Sequence, residues 1–284
     1  MKKAQGTPVV RQVHFDINKD NLPKYYLRGN PFATHLANAY HIVFPEGERF
    51  FIRSVKQYAD RLKDPELKEK VKAFIGQEVQ HGRAHESLWQ TLREHDIPVD
   101  AYEKFYRESA FEFLEKTLAP FLPEEIYLSI TVALEHYTAI MAASAFEENK
   151  MGSDHDVPEQ LRQLVLWHAS EEIEHKAVAF DVLKEVNDSY ALRIAGMLLA
   201  TVALFAYGTM GQTYFLLTDN EFRAMPLWAK INHLSRFLRV QGTTFGKDLL
   251  DYFRPDFHPD DHDTARLAED FLKNFKNYTK NKVA

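Results

Sequence analysis

The sequence predicts an all-α fold, in which a four-helix bundle is followed by extra C-terminal helices. Apolar residues recur at the helical period from residue 31 onward. Proline and capping residues divide this region into segments of helix length. Glycine is scarce, with 11 residues in a chain of 284, and neither a glycine-rich nucleotide-binding motif nor a G-x-S-x-G motif occurs. No stretch is typical of a β-sheet core.

Residues 1–30 are predicted to form an irregular N-terminal extension. A short extended piece is compatible with the alternation of apolar residues at Val13, Phe15 and Ile17. Pro31 opens the helical region with Asn30 as its cap, and Pro45 is expected to interrupt the first helix. Asp64 caps the next long helix in the same way. The predicted helices cover approximately residues 31–44, 46–62, 65–95, 100–116, 123–149, 159–186, 226–251 and 263–280.

We expect one helical domain over residues 31–284. Its parts are a bundle core of about 31–187, an apolar helical segment of about 190–218 and C-terminal helices of about 226–280. Residues 194–217 contain no charged side chain, and about 18 apolar residues suffice to span a bilayer. The alternatives are a helix buried against the bundle, a helix with a bend near Gly208 and Gly211, and a helix that touches a membrane without crossing it.

Composition narrows the classes of protein that this chain can represent. The net charge of -6 gives no reason to expect nucleic acid as a partner. The chain has no cysteine, which excludes disulfides and thiolate-bound metal and suits a reducing cytoplasm. No apolar run follows Lys2 and Lys3, so a cleaved secretory signal is not expected. We therefore expect a cytoplasmic protein, with membrane association through residues 194–217 left open.

Two Glu-x-x-His pairs lie on predicted helices: Glu78–His81 and Glu172–His175. A helix turns by about 100° per residue, so both members of a pair lie on one face. A single glutamate, Glu48 or Glu135, lies on the helical segment before each pair. A carboxylate-bridged dimetal site in a four-helix bundle uses one Glu from each of two helices and Glu-x-x-His from each of the other two. The order of these six residues therefore predicts a dimetal core.

Each of these residues also has a purely structural interpretation. A single Glu-x-x-His is commonly an exposed polar pair, and Glu135 by itself could be a buried glutamate bonded to a histidine. However, Glu135 lies in an apolar stretch, where an ionised carboxylate is costly unless it is paired or binds metal. Glu46 competes with Glu48 for the first helix. We favour Glu48 because Glu46 directly follows Pro45, where a carboxylate suits a helix start.

Further histidines lie beside the two pairs. His168 precedes Glu172 by four residues and His175 by seven, so all three share one helix face. It is either a third imidazole ligand or a side chain that orients Glu172. Two other residues are candidates for the same two roles: His85 and His136. Two glutamates that flank the second pair are expected to point elsewhere: Glu171 and Glu174.

Four phrases carry a resemblance to known families: 44–51 (FPEGERFF), 77–85 (QEVQHGRAH), 133–136 (ALEH) and 167–176 (WHASEEIEHK). Over about residues 30–280 the chain resembles a bacterial family of predicted metal-dependent hydrolases. The ligand order is also similar to that of the ferritin-like di-iron superfamily. With His168 it resembles the arylamine N-oxygenase family, whose sites add a histidine at this position. The resemblance implies a ferritin-like bundle and seven metal ligands: Glu48, Glu78, His81, Glu135, His168, Glu172 and His175.

On these grounds we expect a non-haem di-iron oxygenase or oxidase. Two Fe ions would use dioxygen as a co-substrate and an external electron donor to oxidise a small, apolar organic substrate. The alternative is a dimetal-dependent hydrolase, in which a hydroxide that bridges two Mn or Zn ions attacks the substrate. A non-enzymatic role in iron storage or structure is a third class. The sequence leaves open whether the protein is a homodimer.

Overall fold

The computed structural model describes residues 6–147, 151, 155–241, 245–276 and 278–280, and the fold is all-α. The helices are α1 (Pro31–Lys56), α2 (Pro65–Glu94), α3 (Val99–Tyr106), α4 (Lys116–Leu118), α5 (Glu125–Ala145), α6 (Glu159–His175), α7 (Val178–Val186), α8 (Tyr190–Thr218), α9 (Asn220–Ala224), α10 (Leu227–Gln241), α11 (Lys247–Asp251) and α12 (Ala265–Leu272). A π-helical stretch, Arg107–Glu115, joins α3 to α4. Two short strands, β1 (Arg11–Val13) and β2 (Tyr278–Lys280), pair in an antiparallel sheet.

Four helices form the bundle: α1 packs along α2, α5 packs along α6, and α1 and α2 contact α5 and α6 respectively. Buried apolar side chains form two large clusters. One contains Phe51, Phe74 and Val132, and the other contains Ile42 and Leu88. In α1 and α2 the candidate ligands fall between the residues of these two clusters. The site therefore lies partway along the bundle, with an apolar cluster on either side.

The prediction that Pro45 divides the first helix is wrong, because α1 continues through it. Proline has no N–H group, so the carbonyl of His41 loses its helical hydrogen bond. Trp89 of α2 replaces that donor: its indole Nε1 donates to the His41 carbonyl over 2.9 Å. The predicted caps at Asn30 and Asp64 are confirmed, and their side chains accept from backbone N–H groups of the first turn.

Two other predicted helices end earlier than expected. The helix predicted over 159–186 is two helices, since the chain leaves the helical path between α6 and α7. The buried side chain of Lys176 lies at this break and donates to Thr264 Oγ1 over 3.1 Å. The helix predicted over 263–280 ends at Leu272, because Tyr278–Lys280 pairs with β1. The partner strand comes from the opposite end of the chain, so local periodicity could not reveal it.

The remaining boundaries shift by smaller amounts. The segment predicted over 100–116 is α3 followed by the π-helical stretch. The segment predicted over 226–251 contains α10 and α11, and its residues 242–244 lie outside the described part of the chain. The end predicted at Asn149 also lies outside it, and α5 ends at Ala145.

The apolar segment forms one continuous helix, α8, which packs against α1 and α5. Gly211 lies so close to α1 that a Cβ atom there would be 2.7 Å from the Cβ of Ala39. By length and composition alone, both α5 and α8 could cross a membrane. In their most apolar stretches 61% of the residues of α5 are buried, but only 33% of those of α8. α8 therefore covers the bundle with one face and leaves the other exposed.

Candidate metal centre

The bundle brings all seven side chains predicted as ligands to one place, and all seven are buried. Because each helix presents its ligand positions on its inner face, four helices contribute: Glu48 from α1, Glu78 and His81 from α2, Glu135 from α5, and His168, Glu172 and His175 from α6. The carboxylate and imidazole groups are thus concentrated between the two apolar clusters.

The donor atoms form four overlapping buried groups, within each of which all atoms lie within 4.8 Å of one another. Two contain His168: Glu48, His85 and His168, and His81, His168 and Glu172. The other two are Glu48, Glu78 and His81, and Glu78, Glu135 and His175. Glu78 belongs to both of the latter groups. Glu172 also lies between them, with Oε1 3.3 Å from His81 Nδ1 and Oε2 3.5 Å from His175 Nε2. Two positions that share two carboxylates are the arrangement that a dinuclear metal site requires.

Most of these buried donor atoms have no hydrogen-bond partner among the described residues: both oxygens of Glu48, Glu78 and Glu135, Glu172 Oε2, His81 Nδ1 and His175 Nε2. An unsatisfied buried polar group costs about 1–3 kcal/mol, and a charged one costs more. Such a concentration of unpaired oxygen and nitrogen donors is strongly unfavourable unless a cation occupies the space between them. Carboxylate and imidazole ligands together suit Fe, Mn or Zn. The residues present therefore fit a pair of metal ions.

Two side chains orient the histidines of the Glu-x-x-His pairs. Gln77, which directly precedes Glu78, has its Oε1 2.9 Å from His175 Nδ1. Glu171, which directly precedes Glu172, has its Oε2 3.2 Å from His81 Nε2. Each helix of a pair therefore holds the imidazole of the other helix. A proton on the outer nitrogen leaves the inner nitrogen, His175 Nε2 or His81 Nδ1, free to bind metal.

Glu171, which bonds to the outer nitrogen of His81, is itself held in place by hydrogen bonds. Glu171 Oε1 accepts from Trp167 Nε1 over 3.0 Å and from Arg11 over 2.9 Å. Arg11, on β1, also bonds to Glu174. The expectation that Glu171 points away from the site is therefore wrong, although Glu174 does lie outside it. Sequence reasoning missed Gln77, Glu171 and Arg11. The signal for the first two was their matching position, one residue before each ligand glutamate.

A chain of three histidines leads away from Glu172. His168 Nε2 lies 2.9 Å from Glu172 Oε1, and His168 Nδ1 lies 2.8 Å from His85 Nε2. His85 Nδ1 lies 2.8 Å from His41 Nδ1. Burial lowers the pKa of His41 to about 3 and that of His168 to about 4. The neutral rings can therefore relay hydrogen bonds to the carboxylate, with both nitrogens of His85 already engaged by histidines.

The electrostatics of the ligand set are those of a buried cluster of acids. Burial raises the pKa of Glu48 to about 8 and that of Glu135 to about 7. Burial and the neighbouring charge of Glu135 raise the pKa of Glu78 well above its ordinary value. Burial alone would lower the pKa of His81, but its hydrogen bond to Glu171 and further carboxylate interactions raise it to about 10. In the metal-free protein, bound protons therefore offset part of the negative charge.

Two candidates from the sequence lie outside the cluster. Glu46 accepts from Arg49 over 2.9 Å on the outer side of α1. His136 follows Glu135, so the helical turn directs it toward the C-terminal segment, where its Nε2 lies 3.1 Å from the carbonyl oxygen of Asp248. Neither residue makes one of these hydrogen bonds with the ligand set, and the geometry does not favour either as a ligand or an orienting group. The preference for Glu48 over Glu46 agrees with this geometry.

A cavity of about 720 Å³ reaches the cluster from the surface. Its inner end is lined by His41, His85, His168 and Glu172. Its walls come from α1, α5, α6, α8 and α10 and are predominantly apolar, with Phe44 close to the histidines. The volume lies in the range of pockets that bind small organic molecules. The cavity therefore gives such a molecule access to Glu172.

Comparison with known proteins identifies one family. The model of a family described as predicted metal-dependent hydrolase matches residues 9–263, which is most of the chain. No curated protein matches the chain. No solved structure matches it either.

Proposed function

Because the chain belongs to this family of predicted metal-dependent hydrolases, we propose that it is a dinuclear metalloenzyme acting on an apolar organic substrate. The observation that carries the proposal is the convergence of unpaired, buried carboxylate and imidazole atoms in two groups that share Glu78. A site that served only stability would be at least as stable with well-packed apolar side chains in place of these charged groups.

The ligand groups suggest how the residues divide between the two ions. One ion would be held by Glu48, Glu78 and His81, and the other by Glu78, Glu135 and His175. Glu172 is close to both histidines and serves as the second shared carboxylate. His168 is hydrogen-bonded to Glu172 and is the candidate for a seventh ligand.

We favour oxidation of the substrate by dioxygen as the reaction. Two Fe ions bound here would supply the activation of dioxygen, with electrons from an external donor. Four carboxylates with histidines from two Glu-x-x-His pairs form the set typical of ferritin-like di-iron and di-manganese proteins. The similarity to the arylamine N-oxygenase pattern, with His168 at the position of the added histidine, supports the same reaction. The chain contributes a mostly apolar cavity that leads from the surface to Glu172.

Hydrolysis is the second candidate, and the description of the family favours it. The same ligands can hold Zn or Mn, which would supply a water molecule activated for attack at neutral pH. His41, which lines the inner end of the cavity and uses only its Nδ1 in the histidine chain, would then be able to hydrogen-bond to the scissile group through Nε2. The two reactions differ in the metal that supports them and in their need for dioxygen.

The test is metal analysis of protein purified without oxygen, followed by measurement of oxygen consumption after reduction. About two Fe ions per chain and oxygen uptake that depends on them would support the oxidative reaction. Full loading with Zn or Mn, no oxygen uptake by the Fe form and ester cleavage by the loaded protein would replace it with hydrolysis. Glu46→Gln is the control, because Glu46 bonds to Arg49 outside the cluster. Protein that binds no metal in either preparation would contradict both reactions.

A further inference from the structure

The outer face of α10 is apolar. Five residues of this helix are large, apolar and exposed: Leu227 (72%), Trp228 (72%), Ile231 (57%), Leu234 (37%) and Leu238 (58%). One stripe along the helix is formed by the four that follow at intervals of four, three and four residues: Leu227, Ile231, Leu234 and Leu238. An adjacent side of the helix packs on the protein, where Phe237 stacks on Phe32 with ring centroids 6.2 Å apart. α10 thus has one apolar stripe that faces solvent.

The outer face of α8 is a second exposed apolar surface. Its exposed residues include Leu198, Val202, Phe205, Met210 and Leu217. The sequence of α8 contains a single charged residue, Arg193, and that side chain is buried. A protein in water seldom exposes this many large apolar side chains on two helices without a function for them. The two outer faces together are called the apolar face below.

Two basic residues of α10, Lys230 and Arg239, fall at the edges of its apolar stripe, and Arg236 falls on the side away from it. α10 carries Lys230, Arg236 and Arg239 and has no acidic residue, although the whole chain has a net charge of -6. Arg236 and Arg239 are exposed. A helix with a leucine-rich stripe, a tryptophan and flanking basic residues is typical of helices that lie in the interface of an anionic membrane. A second copy of this chain would instead bring the same basic residues together.

The cavity that reaches the cluster opens beside the apolar face. Phe205 and Thr209 of α8 and Phe237, Arg236 and Arg239 of α10 all line it. Its inner end lies at the candidate ligands of α6, His168 and Glu172. An elongated apolar molecule can therefore extend from the apolar face toward the cluster without crossing bulk water.

We propose that the apolar face docks on the surface of an anionic lipid bilayer, and that a long-chain acyl substrate passes from the bilayer into the cavity. The passage of an acyl substrate into the cavity rests on the function proposed above. Docking does not require α8 to span the bilayer, since its inner face is bonded to the bundle. Gln212 Nε2 donates to the Phe32 carbonyl over 2.8 Å, and Tyr137 and Thr201 share a hydrogen bond of 2.8 Å.

The experiment is sedimentation of the purified, metal-loaded full chain with vesicles. Vesicles of phosphatidylcholine are compared with vesicles of phosphatidylcholine mixed with phosphatidylglycerol. We expect binding to the mixed vesicles that weakens with salt. Arg239→Gln should weaken it roughly fivefold, the usual contribution of one basic residue near such a surface. Ile231→Glu and Leu238→Glu should each weaken binding at least tenfold, on the order of the cost of placing a charge in the apolar stripe.

Leu267→Glu is the matched control, because Leu267 is 38% exposed on α12, which packs chiefly against α6. Binding by this variant should equal that of the unaltered protein. If Ile231→Glu and Leu238→Glu bind as tightly as the control, or if the unaltered protein does not bind mixed vesicles, the docking proposal is wrong. A dimer in light scattering that Ile231→Glu dissociates, without vesicle binding, would assign the apolar face to a second copy and also overturn it.

Measuring the metal content of each variant distinguishes a failure of the docking proposal from a failure of the proposed function. α10 contributes no candidate ligand, so both glutamate variants should keep the metal of the unaltered protein. Loss of vesicle binding with metal retained supports docking independently of the reaction. Absence of metal from the unaltered protein would contradict the dinuclear enzyme and the acyl substrate while leaving the vesicle result for docking intact.

Discussion

Glu135 lies in an environment that is unfavourable for a charged side chain. It is buried in α5, its two oxygens have no hydrogen-bond partner among the described residues, and burial raises its pKa to about 7. Its carboxylate contacts His175 Nε2 at 3.3 Å. A side chain placed in this way destabilises the metal-free protein and stabilises the metal-bound one.

Glu135→Gln should separate these two effects. The amide has the same shape and no charge, so the metal content should fall from two ions to about one per chain or less. The metal-free variant should be more stable than the unaltered metal-free protein at pH 8, by about 1–3 kcal/mol. Metal analysis and urea unfolding in chelator measure the two quantities. A variant with full metal content would remove Glu135 from the ligand set.

Glu171→Gln tests the side chain that orients His81. Glu171 Oε1 and Oε2 accept from Trp167, Arg11 and His81, whereas a glutamine must direct its NH₂ group at one of these donors. Loss of such an orienting partner costs roughly tenfold to a hundredfold in metal affinity. Glu46→Gln is the control, because Glu46 bonds to Arg49 outside the cluster and to none of the histidines. Titration with a competing chelator measures the metal affinity of both variants. Equal metal affinities in the two variants would contradict the orienting role of Glu171.

The sequence identified the seven residues of the cluster because their spacing on helices is short-range information. It did not identify Glu171 as a partner of His81, since that contact joins α2 to α6 and depends on how the two helices face each other. For the same reason the spacing could not place His41, which reaches His85 only because α1 continues through Pro45.

At the scale of the helix, α1 depends on a contact that replaces a backbone hydrogen bond. The His41 carbonyl has no N–H donor at Pro45 and accepts from Trp89 instead. Trp89→Phe keeps the aromatic packing and removes that donor, which should cost about 1–2 kcal/mol. In a Pro45→Ala background the new N–H can bond to His41, so the same substitution should cost less. Urea unfolding of the four proteins gives the coupling energy, and independent, additive effects would contradict this account.

Helix boundaries show where local signals suffice. The caps at Asn30 and Asp64 are contacts within the first turn, so the sequence predicted them. The break after α6 and the strand Tyr278–Lys280 depend on partners that are distant in the chain, Thr264 and β1. The hydrophobic periodicity and the helix or strand propensity of the sequence predict neither the break nor the strand, because tertiary contacts override them at these positions.

At the scale of the whole molecule, the site lies between two apolar clusters, and its charge must be balanced internally. In the metal-free protein, protons provide this balance. Glu48 and Glu135 have pKa values of about 8 and 7 where 4.5 is ordinary, and His81 has a pKa of about 10 where 6.5 is ordinary. All three groups bind protons more tightly in the folded state than in the unfolded one.

The sign of the resulting pH dependence follows from linkage. A raised folded-state pKa contributes stability below the unfolded pKa, and this contribution is lost as the pH rises through the folded pKa. His41 and His168, whose pKa values are lowered to about 3 and 4, act in the opposite direction only below about pH 6.5. Between about pH 6.5 and 9 the metal-free protein should therefore lose stability steadily.

Bound metal should abolish this loss, because the ions then compensate the ionised carboxylates in place of protons. We expect the difference in Tm between the metal-loaded and the chelator-treated protein to grow from about pH 6.5 to pH 9. Thermal unfolding of both forms across this range measures it, and Glu46→Gln should follow the unaltered protein because Glu46 lies outside the cluster. Parallel Tm curves for the two forms would mean that metal does not replace protons at these carboxylates.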